Sequence, residues 1–411
     1  MVRLKRTPVY VMDALPGFKA ISNLPNGFEK FLTSRPVLLA LFGKAVLVTH
    51  EENRQYLAPY ERHYPDLSKS VMYVPGSGSL EQRITSQRLY KSFPIGCDVY
   101  TTYPGNNFKG WSSNLGWRRR LVGYDRRFPE SSSLHKGVLY PQWGKPTSPL
   151  VSALGNLCIP AGFVVPKGDV CLAAEAWAHV HAEFGSVVVK PATDTGNGDG
   201  VIVGATKEES CAAVQKNDIL VTQCVRIAST QTLTGKSTEM SLSVRALKGR
   251  VLPEVSLQIV HNGQWAGCFV PEHDQWSAPL TSAVVAVIKQ QCQTIVDLLQ
   301  LKLLCNFDAA IGPDGTFSIL DYNFRASGSH APLEAAKGVL RAGEPMLYEP
   351  IVLEGTLEQA LESLRSAGVL LGADGRGVLP LILPCGYHKA YVGGERALAW
   401  YRQMARRPLA I

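Results

Sequence analysis

Nine cysteines are scattered through the 411 residues, and no two of them form a Cys-x-x-Cys pair. That leaves neither a disulfide-stapled scaffold nor a zinc ribbon. Cys158, Cys171, Cys211, Cys224, Cys268, Cys292 and Cys305 lie mostly in apolar contexts, as buried thiols in a reducing cytoplasm would. Long apolar runs are missing too. The best candidate, Val37 to Val48, carries Lys44 and is shorter than the roughly 20 residues a membrane span needs, so it reads as buried core elements. The basic start MVRLKR is not followed by an apolar stretch, so a secretion signal is not expected. Solenoid repeats and low-complexity tracts are absent. Neither the Walker A spacing nor the Rossmann glycine spacing occurs.

What is present is ordinary globular composition, with 45% hydrophobic and 18% charged residues. The length suffices for two or three domains with their own cores. Charge is uneven. Residues 1–150 hold 21 Lys/Arg against 10 Asp/Glu, while the overall net charge is +8. Trp117-Arg118-Arg119-Arg120 with Arg126-Arg127 is the densest basic run, and no nucleic-acid motif accompanies it. The pattern divides into an α/β region 1–135, then 136–222, 223–345 and a C-terminal extension 346–411. Strands are expected at Ala45–Thr49, Val71–Val74 and Asp98–Tyr103, and a long helix from Ser282 to Leu304, where apolar residues recur every three or four positions.

The densest chemistry lies in Phe307 to Arg325. Asp314-Gly315 marks a two-residue hairpin turn. Counting outward from it, residue 311 faces 318 and Asp308 faces Asp321, with Cβ atoms about 5 Å apart. Strand alternation puts Asn323 and Arg325 on the same face as Asp321. Two opposed carboxylates call for a cation between them. With the amide, they form an oxygen set suited to Mg2+, or Mn2+ in its place. The guanidinium of Arg325 suits phosphate. The plain alternative is a solvated hairpin face in which Arg325 neutralises Asp321.

Upstream, the apolar strand Val187-Val188-Val189-Lys190 runs into a loop with Gly196, Gly198 and Gly200. Lysine supplies a compact charge, and glycines let backbone N–H groups approach phosphate oxygens. The apolar strand Leu220 to Val225 offers Gln223 and strand-end backbone to an adenine edge.

These pieces, in this order, resemble the ATP-grasp superfamily, in particular D-alanine–D-alanine ligase-like members. That resemblance implies an N-terminal α/β domain followed by two α+β subdomains that sandwich ATP. The lid would be 136–222 and the base 223–345, with a small C-terminal α/β extension. It implies Lys190 on ATP phosphate, Gln223 and Val225 at the adenine hinge, and Mg2+ on Asp308, Asp321 and Asn323. Arg325 would contact phosphate or acyl-phosphate and share the catalytic work with Lys190. Glu239 resembles the glutamate that follows the hinge. Lys145, shortly before Ile159-Pro160, resembles an earlier lysine facing the nucleotide. The substrate would meet Arg325, the turn Ser327-Gly328-Ser329 and Arg245. Departures are Asp321 for the commoner glutamate, Gln223 for glutamate, and Asn306 where many amino-acid ligases carry a basic residue. The tail resembles an extra unit of natural-product peptide ligases.

The resemblance therefore implies a cytoplasmic, ADP-forming ligase that joins a small-molecule carboxylate to an amine, of amino-acid or peptide type. Neither a membrane nor a nucleic acid is expected as partner, and a homodimer is the default assembly. A small-molecule kinase and a non-catalytic nucleotide-binding protein remain open as alternatives.

Overall fold

The computed structural model describes residues 8–11, 37–42, 44–78, 80–93, 97–101, 120–122, 136–155, 157–192, 200–261, 264–272, 276–302, 304–323, 327–337, 339–341, 343–351, 355–381 and 388–404. Gly196, Gly198, Arg325 and the arginine-rich stretch 117–119 and 126–127 lie outside these residues.

Short β-branched runs near the N-terminus form a parallel sheet of β1 (Val9–Val11), β2 (Val46–His50), β3 (Val71–Val74), β4 (Asp98–Thr101) and β5 (Arg120–Val122), in the order β3-β2-β1-β4-β5. Parallel strands need cover on both faces, which explains why β1 is buried at all three positions. Val37 to Val48 resolves into the buried helix Val37–Leu41 and β2. The strand expected to reach Tyr103 is described only to Thr101.

A second unit is the antiparallel sheet β6 (Gly162–Val165), β7 (Val187–Pro191), β8 (Ile202–Val203) and β9 (Ile219–Gln223), in the order β6-β9-β7-β8. Two helices back it. Val170–Phe184 starts where the Asp169 side chain accepts from the Leu172 N–H, and Lys207–Lys216 starts in a Thr206/Glu209 capping box. Ala173, Ala176, Val180, Val189, Val214 and Val221 fill the core between helices and sheet.

After the short pair β10 (Ser229–Gln231) and β11 (Ser237–Glu239), eight antiparallel strands build the largest sheet. They are β12 (Ser241–Leu247), β13 (Arg250–His261), β14 (Gln264–Val270), β15 (Cys305–Ile311), β16 (Phe317–Asn323), β17 (Met346–Ile351), β18 (Gly377–Leu381) and β19 (His388–Gly393). Their order is β16-β15-β12-β13-β14-β17-β19-β18, so the strands of 346–411 continue the sheet that carries the hairpin β15–β16. The helix Ser282–Leu298 packs behind β12 and β13. It stops six residues before the expected Leu304. Gln300 takes a left-handed φ of 49°, and Leu299, Leu301 and Leu304 stay buried without being helical. Apolar spacing tracked burial past the helix end. Among the described residues, no helix is long and apolar enough to cross a membrane.

Candidate active site

The hairpin β15–β16 sets Asp308 opposite Asp321, as the sequence led us to expect, but by a different route. The connection is a three-residue loop. Gly312 N–H donates to Thr316 O at 2.7 Å, and Gly315 adopts φ 81°, the left-handed residue that closes such a loop. Ile311 therefore pairs with Phe317 and not with residue 318. An irregularity at Leu320 then adds one residue to β16 and restores the register at Asp308↔Asp321. Two offsets of one residue cancel.

The alternation puts Phe307, Ala309 and Ile311 into the core and turns Asp308 and Asn306 to the other face. There the two carboxylates converge. Asn323 Nδ2 lies 3.4 Å from Asp308 Oδ2 and 3.5 Å from Asp321 Oδ2. Where a cation was expected, the described residues supply amide donors. Gln258 Nε2 donates to Asp308 Oδ1 at 2.5 Å and Asn306 Nδ2 donates to the same oxygen at 2.6 Å. Arg325, the expected guanidinium, lies outside the described residues. Among those residues, no group of three or more His, Cys, Asp or Glu could hold a metal. Two carboxylates and one amide fit an ion that draws its other ligands from water and phosphate, which is the habit of Mg2+. Asn323 would offer its oxygen after a half-turn of its amide.

Lys190 arrives from the other unit. It lies on β7, and its Nζ donates to the carbonyl oxygen of Leu320, the extra residue of β16 beside Asp321. The sheet β6-β9-β7-β8 is thus tied to the hairpin across 130 residues of sequence. Gln223 closes β9, and its side-chain oxygen accepts from Ala161 N–H at 3.1 Å. That side chain anchors the start of β6. Cys224 N–H donates to Ser186 O at 3.1 Å, and Val225 follows as a half-buried residue beyond the ladder. Gly200 backs onto the ring of Pro191. Lys145 stands exposed in the turn that opens at Gln142. Glu239 ends β11, half-buried, without a hydrogen bond to the hairpin among the described residues.

The turn after the hairpin comes back over the same face. Ser329 Oγ lies 2.9 Å from Ser327 Oγ and 3.2 Å from Ser243 Oγ, whose strand position pairs with Asp308. At Gly328 an added Cβ would meet the Trp265 ring at 2.5 Å, so only glycine lets the turn approach that ring.

Arg245, two residues beyond Ser243, is fully buried. Its Nη1 donates to Glu334 at 2.8 Å and lies 3.4 Å from His330 Nδ1, while Glu254 is 3.8 Å from Nη2. Among the described residues, Nε and Nη2 make no hydrogen bond, nor do the nearby Glu254 Oε2 and Ser256 Oγ.

His330, which opens the helix His330–Ala336, is buried. Its Nε2 lies 2.9 Å from the Tyr10 hydroxyl of the N-terminal sheet, and Tyr10 stacks on Tyr100 with centroids 4.7 Å apart. Arginine can only donate, so Nδ1 accepts and Nε2 carries the proton. Burial holds the His330 pKa down to about 4, helped by Arg245 and Lys337 and opposed by Glu334. Burial alone would push the Glu334 carboxyl up, yet His330, Arg245 and Lys337 bring it below the usual range. Tyr10, Tyr100, Gln258, Ser241 and Ser243 escaped the sequence reading, because nothing in their local pattern separates them from core strand residues.

No protein-family profile and no curated protein sequence matches the chain. Solved structures do match it over nearly its full length. Carboxyaminoimidazole ribonucleotide synthase from Aspergillus clavatus, complexed with ATP, aligns with 98% of this chain and 97% of its own at TM-score 0.55 and 10% identity. Biotin carboxylase from Campylobacter jejuni, in a complex with a β,γ-ATP ligand, covers 96% of this chain and 89% of its own at TM-score 0.55 and 11% identity. An L-amino acid ligase from Bacillus licheniformis covers 97% of each chain at TM-score 0.50 and 15% identity. These are ATP-grasp proteins, and at such identities it is the architecture that is shared. The chain has the ATP-grasp fold, from its N-terminal parallel sheet to the last strands of its large antiparallel one.

Proposed function

We propose that this protein is a Mg·ATP-dependent carboxylate–amine ligase that works through an acyl-phosphate, with an amino acid or peptide as substrate. The observation that carries the reading is the convergence of Asp308 and Asp321 on Asn323, with Lys190 of the lid sheet reaching the same hairpin. Asp308, Asp321 and Asn323 would hold Mg2+, which supplies charge neutralisation for the phosphates when bound. Lys190 exchanges its carbonyl partner for a phosphate oxygen, and Arg325, two residues beyond Asn323, joins it. Both stabilise charge that spreads during phosphoryl transfer. The carboxylate is phosphorylated, the amine displaces phosphate, and water is kept out by the glycine-rich loop 193–200.

Arg245 favours a substrate bearing a carboxylate. Nε and Nη2 of this wholly buried guanidinium make no hydrogen bond among the described residues, Nη2 having only the Glu254 carboxylate at 3.8 Å, and a carboxylate is a group that matches their fork. The turn Ser327-Gly328-Ser329 supplies hydroxyls next to Ser243, two residues before Arg245. Biotin carboxylase and the ribonucleotide synthase share the fold, so the acceptor is the least constrained part of the proposal.

The test measures ADP and phosphate release with Mg·ATP over amino-acid pools, with mass spectrometry of products. A product lighter by one water than its two precursors supports ligation. A phosphorylated product without free phosphate replaces it with a kinase.

A further inference from the structure

We infer that Arg245, Glu254 and Ser256 form a subsite for the head group of a free α-amino acid, with its carboxylate on the guanidinium and its ammonium on the Glu254 carboxylate and the Ser256 hydroxyl. The inference deepens the ligase reading above and rests on it only for the direction in which the amino acid's side chain runs.

One polar face spans β12 and β13, and it is not bonded evenly. Toward the hairpin it is saturated. Ser241 Oγ donates to Gln258 Oε1 at 3.1 Å, and Ser243 Oγ donates to Asn306 Oδ1 at 2.7 Å. Farther along each strand the bonds stop. Arg245 Nε and Nη2, Glu254 Oε2 and Ser256 Oγ are buried atoms that make no hydrogen bond among the described residues. Ser256 pairs with Ser243 in the ladder, and alternation puts Glu254 and Ser256 on the face that Gln258 uses. Buried polar atoms are nearly always paired, so a cluster of orphans on three neighbouring side chains calls for a ligand.

The guanidinium indicates which group it takes. Nη1 is committed, donating to Glu334 at 2.8 Å beside His330 Nδ1 at 3.4 Å. The remaining edge, Nε with Nη2, receives two carboxylate oxygens side by side. A bare anion would unbalance the cluster. Arg245 and Lys337 already face Glu334 and Glu254, with Lys337 Nζ 3.2 Å from Glu254 Oε1, and burial keeps His330 neutral. A ligand that brings a cation with its anion preserves that balance. Glu254 Oε2 and Ser256 Oγ are acceptors that an ammonium can fill.

Arg245 Nη2 and Glu254 Oε2 stand 3.8 Å apart, too far for a hydrogen bond, so parting them for a ligand sacrifices none. The side chains of Glu254 and Glu334 are 32% and 27% exposed, against 0% for Arg245, so the acidic side of the cluster reaches solvent. Arg245 lies two residues, roughly 7 Å of strand, beyond Ser243, which pairs with Asp308. The head group is thus held apart from the hairpin, and the side chain runs toward it past Ser243 and Ser329.

The test begins with melting curves of the full-length protein with each common amino acid, in L and D form. Equilibrium binding follows for those that stabilise it, with ADP binding in Mg2+ measured on the same preparation. At least one free amino acid should raise the melting temperature. Its N-acetyl derivative and its α-amide should each bind about tenfold or more weakly. Arg245→Lys, which keeps the charge and loses the fork, should weaken the amino acid by a similar factor and leave ADP binding unchanged. Glu254→Gln, a gentler change, should narrow the gap between the amino acid and its N-acetyl derivative. Melting curves of both variants check that they fold. If ADP binds and no free amino acid does, or if both derivatives bind as tightly as the parent, the subsite is overturned and the ATP reading stands. If an amino acid binds with this pattern and ADP does not, the ATP reading fails and the head-group subsite stands.

Discussion

On one face of β15, Phe307, Ala309 and Ile311 are wholly out of water against the helix Ser282–Leu298 and its neighbours. On the other, Asn306 and Asp308 are woven into amides and hydroxyls. The same seven residues thus serve both faces. The apolar face is held by area removed from water, which is non-directional and tolerant of detail. The polar face gains little net stability from each bond, but each lost bond leaves a buried group unpaired. The first face sets whether the strand folds; the second sets where two carboxylate oxygens point. Damage to one should therefore leave the other's property largely intact.

Asp321→Asn is the sharpest way to break that separation. It should lower turnover in the proposed ligase reaction by about 10³-fold or more, since charge stabilisation is the main contribution in phosphoryl transfer. Steady-state kinetics and a urea titration on the same preparation would check it. Full activity in this variant would remove Asp321 from the metal site. Phe307→Ala should do the converse, costing about 3–5 kcal/mol of stability by leaving a cavity. Its activity per folded molecule, measured well below the unfolding midpoint, should change far less than its midpoint does.

The contact between the N-terminal sheet and the helix His330–Ala336 extends the comparison to titration. His330 is neutral and buried, with its pKa held down to about 4. The unfolded imidazole takes a proton first as pH falls, so stability drops between about pH 6.5 and pH 4, by up to about 3 kcal/mol. Glu334, whose carboxyl is held below its usual range, adds its own loss only lower down. His330→Gln should flatten the upper window, seen as urea midpoints that no longer fall from pH 6.5 to pH 4.5. A slope identical to that of the unmodified protein would reject the assignment. The smallest effect belongs to the ion pair Lys248–Asp98, 2.9 Å long with the lysine side chain 47% exposed. Lys248→Met should cost no more than about 1 kcal/mol, and less at high salt.

The hairpin illustrates how far local reasoning reaches. Alternation and a turn signal were enough to oppose Asp308 and Asp321, because a strand's faces follow from a period of two. The turn itself was misjudged by one residue, and the extra residue at Leu320 repaired the count. Neither offset has a local signature in the sequence. The helix beyond Leu298 was overextended for a related reason: burial and helicity leave the same apolar spacing until the backbone turns at Gln300. Gln223 was legible as a strand end but not as a side chain bonded to Ala161.

The chain's own pattern determined the order of units, most strands and helices, and the opposition of Asp308 and Asp321 in the hairpin β15–β16. These rest on short-range rules of periodicity, capping and turn chemistry. Only the tertiary structure decided that Lys190 meets Leu320 O, that Gln258 and Ser241 serve Asp308, and that Tyr10 holds His330 across 320 residues. Such pairings depend on which strands become neighbours in a sheet, and sheet order is set by global packing rather than by any residue's immediate sequence.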